Sequence, residues 1–126
     1  MAEENKSVIK IGNKEYELLL TTKATKEINN KFGGLENVGN KLTESKSVGE
    51  SLEIVIWLIV LLTNQAILRK NLIEGTKEPE IKEEELEILT SPADLNDFTS
   101  AIMNALIVGT KRNIESEESG KNTEVE

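Results

Sequence analysis

Nine consecutive apolar residues, Ile54 to Leu62 (IVIWLIVLL), must lie inside a fold, inside a membrane or against a second molecule, because water disfavours that much uncovered apolar surface. A membrane span needs about 20 predominantly apolar residues. Here Glu53 bounds one end of the run, and Thr63, Asn64 and Gln65 break it before Ala66, Ile67 and Leu68 continue. The expectation is therefore a buried helix from Glu50 to Ile73. Arg69 and Lys70 near its C-terminal end suit the helix dipole, and Gly75 stops it. A helix apolar on all sides belongs at the centre of a protein; the alternative is a central helix with part of its surface against a second copy or a partner.

The flanking segments supply the cover. From Ser7 to Leu20 two apolar runs, Val8, Ile9 and Ile11, then Tyr16, Leu18 and Leu20, surround Gly12-Asn13. This is the pattern of a β-hairpin with a two-residue turn and glycine first. A lone hairpin is marginal in water, so a helix must cover its apolar side. Thr21 or Thr22 then caps a helix whose inner face is Ala24, Ile28 and Phe32, ended by Gly33-Gly34. Leu35, Val38 and Leu42 mark a second short helix, weakened by Gly39, and Ser45 to Gly49 reads as a loop. After a linker at Thr76 to Glu80, Lys82 to Leu89 forms a short acidic helix with Leu86 and Leu89 inward. Ser91 as cap, Pro92 at the first position and Asp94 in the first turn open the last helix. Its stripe is Leu95, Phe98, Ile102, Ala105 and Leu106. The predicted fold is mostly α: a hairpin at 7–20 packed on a small helical bundle at 22–112 around a long apolar central helix. It forms a single domain over 1–114, followed by a disordered acidic tail at 115–126.

Charge and residue types exclude much chemistry. With 15 Lys and Arg against 23 Asp and Glu, the net charge of -8 opposes binding to a phosphate backbone. Helix, double glycine, helix also outlines a DNA-reading helix-turn-helix, but its second helix offers Glu36, Asn37, Asn40 and a single Lys41 to the groove, so no nucleic acid is expected. Histidine and cysteine are both absent, which removes disulfides, zinc sites built on them, thiol nucleophiles and imidazole bases. No glycine-rich phosphate loop occurs. Glu83, Glu84, Glu85 and Glu87 lack the spacing of a calcium loop and read as a solvated face. The expectation is a protein without enzymatic activity, cofactor or metal. The polar start, Met1 to Ser7, has no signal-peptide pattern, so the expected location is the cytoplasm, with no membrane attachment. What remains is a surface for other proteins, with apolar helical faces as anchors.

In IGNKEYELLLTTKATKEINNKFGGLENV a G-x-x-x-Y-x-L hairpin (Gly12, Tyr16, Leu18) runs into a helix with Ala24, Ile28 and Phe32 and closes on Gly33-Gly34-Leu35. A Trp-containing apolar helix, SLEIVIWLIVLLTNQAIL, follows. This order resembles the tail assembly chaperones of long-tailed bacteriophages and phage-tail-like particles, over about Ile9 to Arg112. The resemblance implies a small, acidic, mostly helical protein of the host cytoplasm. Such a protein coats the tape measure protein, helps recruit tail-tube subunits and leaves the finished tail; self-association is expected separately, from an apolar run greater than one small chain readily covers. The resemblance further implies that a frameshifted extension could join after Glu115. Within the chain, the stripe Leu95, Phe98, Ile102 and Leu106 is the expected client-binding surface, unless it packs on the central helix. The alternative reading is a small helical adaptor or regulator of a mobile element, and a membrane-attached small protein stands behind it.

Overall fold

Gly12 takes a positive φ of 64° and, with Asn13, turns β1 (Ser7–Ile11) into β2 (Lys14–Leu18). The strands pair antiparallel with Ile9 opposite Tyr16 and Ile11 opposite Lys14. That register puts Ser7, Ile9 and Ile11 on the inner face and leaves Val8 and Lys10 outside, the period-two alternation of a half-buried strand. The computed structural model describes residues 7–44 and 47–111 in full and, beyond these, the backbone of the last helix as far as 125.

Helix α1 (Thr22–Phe32) begins where the Thr21 hydroxyl accepts from the Ala24 N–H at 3.0 Å. It ends at Gly33, whose φ of 85° lets its N–H reach the Asn29 carbonyl at 2.8 Å. Ala24, Ile28 and Phe32 are its buried face, as expected. Next comes α2 (Glu36–Glu44), with Val38 buried. The central helix, α3 (Val48–Glu74), starts earlier than Glu50, so the expected loop through Gly49 is shorter than the sequence suggests. The reason is a cap: Ser47 Oγ accepts from the Glu50 N–H at 3.1 Å and holds Val48 and Gly49 in the first turn. At the other end Gly75, with φ 72°, donates to the Asn71 carbonyl. A short helix, α4 (Glu83–Leu89), and the last helix, α5 (Pro92–Val125), complete the order. Asp94 Oδ2 accepts from the Ser91 N–H at 3.0 Å, the carboxylate half of a capping box at the predicted start of α5. The expected disordered tail at 115–126 lies outside the fully described residues.

The fold is mostly α, with the N-terminal hairpin on a helical body. Helix α3 touches β2, α1, α4 and α5, and β1 lies against α5. Within the apolar run Val55, Ile56, Leu58, Ile59 and Leu62 are buried, while Ile54, Trp57, Val60 and Leu61 pack half-buried against the same core. The chain's own elements thus cover the run. Trp57, expected inside, is only partly so: Phe32 meets it edge-to-face at 5.8 Å and the Lys31 ammonium sits 4.8 Å over its ring. Gly109 is placed by close approach, since a Cβ there would come within 2.7 Å of the Leu20 side chain.

By length and composition alone α3, with 27 residues, is long and apolar enough to cross a membrane. The nine-residue count at the sequence level understated the helix that carries the run. In this fold, however, its three central polar residues are buried and two of them hold other parts of the chain. Gln65 accepts from the Thr21 hydroxyl, tying the start of α1 to α3. Asn64 receives the Ile81 N–H on Oδ1 at 2.8 Å and donates Nδ2 to the Ile81 carbonyl at 3.0 Å. The Thr63 hydroxyl has no hydrogen-bond partner among the described residues.

Candidate partner-binding surface

The stripe read from sequence as a client surface is internal. Leu95, Phe98, Ile102 and Leu106 are all buried in the core, Ile102 completely, where α5 packs on α3 and β1. A helix laid between a central helix and a hairpin has its apolar face covered from both sides, so none of the four is open to a partner in this conformation.

Exposed apolar side chains lie elsewhere. Helix α4 buries Leu86 but leaves Ile88 74% and Leu89 58% exposed. Leu89 was expected inward. With seven residues, α4 makes less than two full turns against the body, and its last residue is rotated off the contact that Leu86 makes. Together with Ile11, Tyr16, Pro79, Ile81 and Leu86, these two residues line a groove of about 430 Å³ between the hairpin and α4. A second cavity of about 360 Å³ adjoins it, sharing Lys14 and Tyr16 and extending to Ile73 at the exposed end of α3. Charged side chains, among them Glu15, Glu17, Arg69, Lys70 and Glu74, line most of that second cavity, so the apolar surface is concentrated in the groove beside α4. Its anchors were hard to recognise in sequence, because Tyr16 reads as one residue of an alternating strand and Leu89 as an inner helix position.

The linker between α3 and α4 positions one wall of the groove. Two asparagines of α3 hold it: Asn64 pairs with both main-chain groups of Ile81 as above, and Asn71 does the same for Glu78. Asn71 Nδ2 donates to the Glu78 carbonyl at 3.0 Å, and Asn71 Oδ1 accepts from the Glu78 N–H at 3.0 Å and from the Thr76 hydroxyl at 2.7 Å. At the surface Lys70 Nζ lies 2.6 Å from Glu78 Oε2. The hydrogen bond and charge of that ammonium hold the Glu78 carboxyl below its ordinary range, and the carboxylate raises Lys70 in turn. Both groups are in water, so the pair adds little stability.

Replacing Asn64 with Leu removes both partners of Ile81 at once. A loss of about 2–3 kcal/mol is expected, since half-buried main-chain groups are left unpaired while the apolar volume is kept. A lowered urea midpoint at unchanged slope is the expected reading; an unchanged midpoint would mean that the linker does not depend on this clasp.

Glu80, Glu85 and Lys14 bring charge to the groove, whereas Glu83, Glu84 and Glu87 stand exposed on α4 without lining it. Glu85 is partly engaged, its Oε1 accepting from the Lys82 N–H at 3.0 Å. Lys14 Nζ rests 5.4 Å over the Tyr16 ring. Among the described residues no group of three or more acidic side chains is placed to hold a metal ion. The arrangement offers contact area and charge rather than an assembled nucleophile or general base. Comparisons with protein-family models, with curated proteins and with solved structures return no match to this chain.

Proposed function

We propose that this protein is a tail assembly chaperone of a long-tailed bacteriophage or phage-tail-like particle, acting in the host cytoplasm. It holds the tape measure protein soluble and helps bring tail-tube subunits to it. The observation that carries this reading is an apolar groove left open beside Tyr16, one of the residues on which the resemblance to that family rests. A long amphipathic helical client aggregates unless its apolar stripe is covered, and an acidic body with net charge -8 keeps the covered complex in solution. Self-association along an extended client belongs to the same reading, with the exposed apolar ends of α3 and α4 as contact points rather than the run at 54–62.

The test is co-expression with the tape measure protein encoded in the same gene neighbourhood. A soluble complex that co-purifies is the expected result, with the client found in the pellet when expressed alone. If this chain neither binds nor solubilises any tape measure protein, the assignment falls and the adaptor reading takes its place.

A further inference from the structure

Along the free edge of β2 we infer a binding site for an extended peptide segment, taken up as a third strand, with Lys or Arg on the outer face of the sheet and apolar side chains on the inner one. The site adjoins the groove beside α4 at Tyr16 but needs nothing from the chaperone reading. Its basis is the hairpin register. Gly12-Asn13 is a two-residue turn, so Ile11 and Lys14 exchange main-chain hydrogen bonds across it, as do Ile9 with Tyr16 and Ser7 with Leu18 in alternation. Glu15 and Glu17 therefore point their N–H and C=O groups away from β1. Leu19 shares that direction, and its N–H is taken by the Leu62 carbonyl at 3.1 Å, which sets this edge of the hairpin against α3.

Toward the turn, the cavity of about 360 Å³ lies between strand and helix. Glu15 and Glu17 line it from the outer face of the sheet and Lys14 and Tyr16 from the inner one, so it follows the edge of β2 rather than either face. The outward main-chain groups of Glu15 and Glu17 have no hydrogen-bond partner among the described residues. Donors and acceptors recurring at every second residue are a template for another strand, whereas a helix has its own groups bonded already and leaves these unmet. β1 offers a similar edge at Val8 and Lys10. Beside β2, however, the wall of α3 adds Ala66, Ile67 and Ile73 as apolar contacts for the inner side chains of the segment.

Charge selects the outer ones. Residues directly opposite each other in a strand pair interact, and opposite charges there are favoured. On the outer face Lys10 stands across from Glu15, but only Val8 stands across from Glu17. Neither carboxylate forms an ion pair among the described residues. On the opposite wall the charges nearly offset one another, Arg69 and Lys70 against Glu74 and Glu78, and Lys14 rests over the Tyr16 ring on the inner face. A second copy is the poorer match: its β2 would set glutamate against glutamate, and its β1 brings one lysine, Lys10, for two carboxylates.

The probe is a fluorescein-labelled peptide of about seven residues in which lysine alternates with valine, compared with a counterpart in which glutamate replaces lysine. Binding to the full chain is followed by anisotropy, and the position of the peptide by amide hydrogen exchange. The lysine peptide is expected to bind about tenfold more tightly or better, from two favourable cross-strand pairs against two repulsive ones. At saturation it should slow exchange of the Glu15 and Glu17 amides about tenfold or more and leave those of Val8 and Lys10 unchanged. Glu15→Gln combined with Glu17→Gln should remove most of the preference at an unchanged melting temperature, since neither side chain is buried. Equal binding of the two peptides, or no binding of the lysine peptide, overturns the inference. Binding that leaves the Glu15 and Glu17 amides exchanging freely does so too, because the segment is then not a strand. Protection at Val8 and Lys10 instead would put the strand on β1, and protection at Glu15 and Glu17 on raising the protein concentration without peptide would give the edge to a second copy; either result defeats the assignment. None of these outcomes alters the result expected from co-expression with the tape measure protein.

Discussion

Aspartate in place of Ile56 leaves the chain without a cooperative folded state. Ile56 is buried in the core that α3 shares with the rest of the molecule. A carboxylate there loses its hydration and must either stay charged in apolar surroundings or take up a proton, at a cost above about 4 kcal/mol. Total stability for a domain of this size is about 5–15 kcal/mol. Leu61 lies on the half-buried side of the same helix, so Leu61→Asp can turn its carboxylate to water and should only lower the urea midpoint. Far-ultraviolet circular dichroism and urea titration of the two variants separate the cases. Equal losses would mean that the two sides of α3 are equally enclosed, against the packing described above.

The second large effect concerns α5. Ile102→Asp places a charge where no solvent reaches, and Phe98→Ala empties an aromatic site in the same core at about 3–5 kcal/mol. Both variants should lose the folded state or much of its stability, and any capture of a client should be lost with it. Ile88→Ser, made in parallel, should leave the melting temperature unchanged. An Ile102→Asp variant that folds normally but no longer captures a client would reverse this placement and return the client surface to α5.

What the sequence revealed of this fold was mostly local chemistry. Gly12-Asn13, the Thr21 cap, Gly33, Gly75 and the Ser91-Pro92-x-Asp94 start act over two to four residues, and each stands where the pattern put it. The α3 start was obscured by Gly49, whose weak helix propensity the Ser47 cap outweighs. Thr63, Asn64 and Gln65 read as an interruption of an apolar run because the groups that satisfy two of them, Ile81 and Thr21, are 17 and 44 residues away. The groove was hidden for a related reason. Its walls come from β1, β2, the linker and α4, and only the tertiary arrangement decides that Leu86 turns inward while Leu89 does not.

The asparagine clasp also sets a length. Asn64 and Asn71 are seven residues apart, a rise of about 10.5 Å along a helix. The residues they hold, Ile81 and Glu78, are three apart, and three residues of extended chain span roughly 10–11 Å. The two spacings agree, so the linker returns along α3 in step with two turns of helix. Surface connections usually accept insertions and deletions, but adding or removing one residue between Glu78 and Ile81 would put one asparagine out of register with its partner. A segment without helix or strand is thereby held to a fixed number of residues, and the wall of the groove inherits its position from that count.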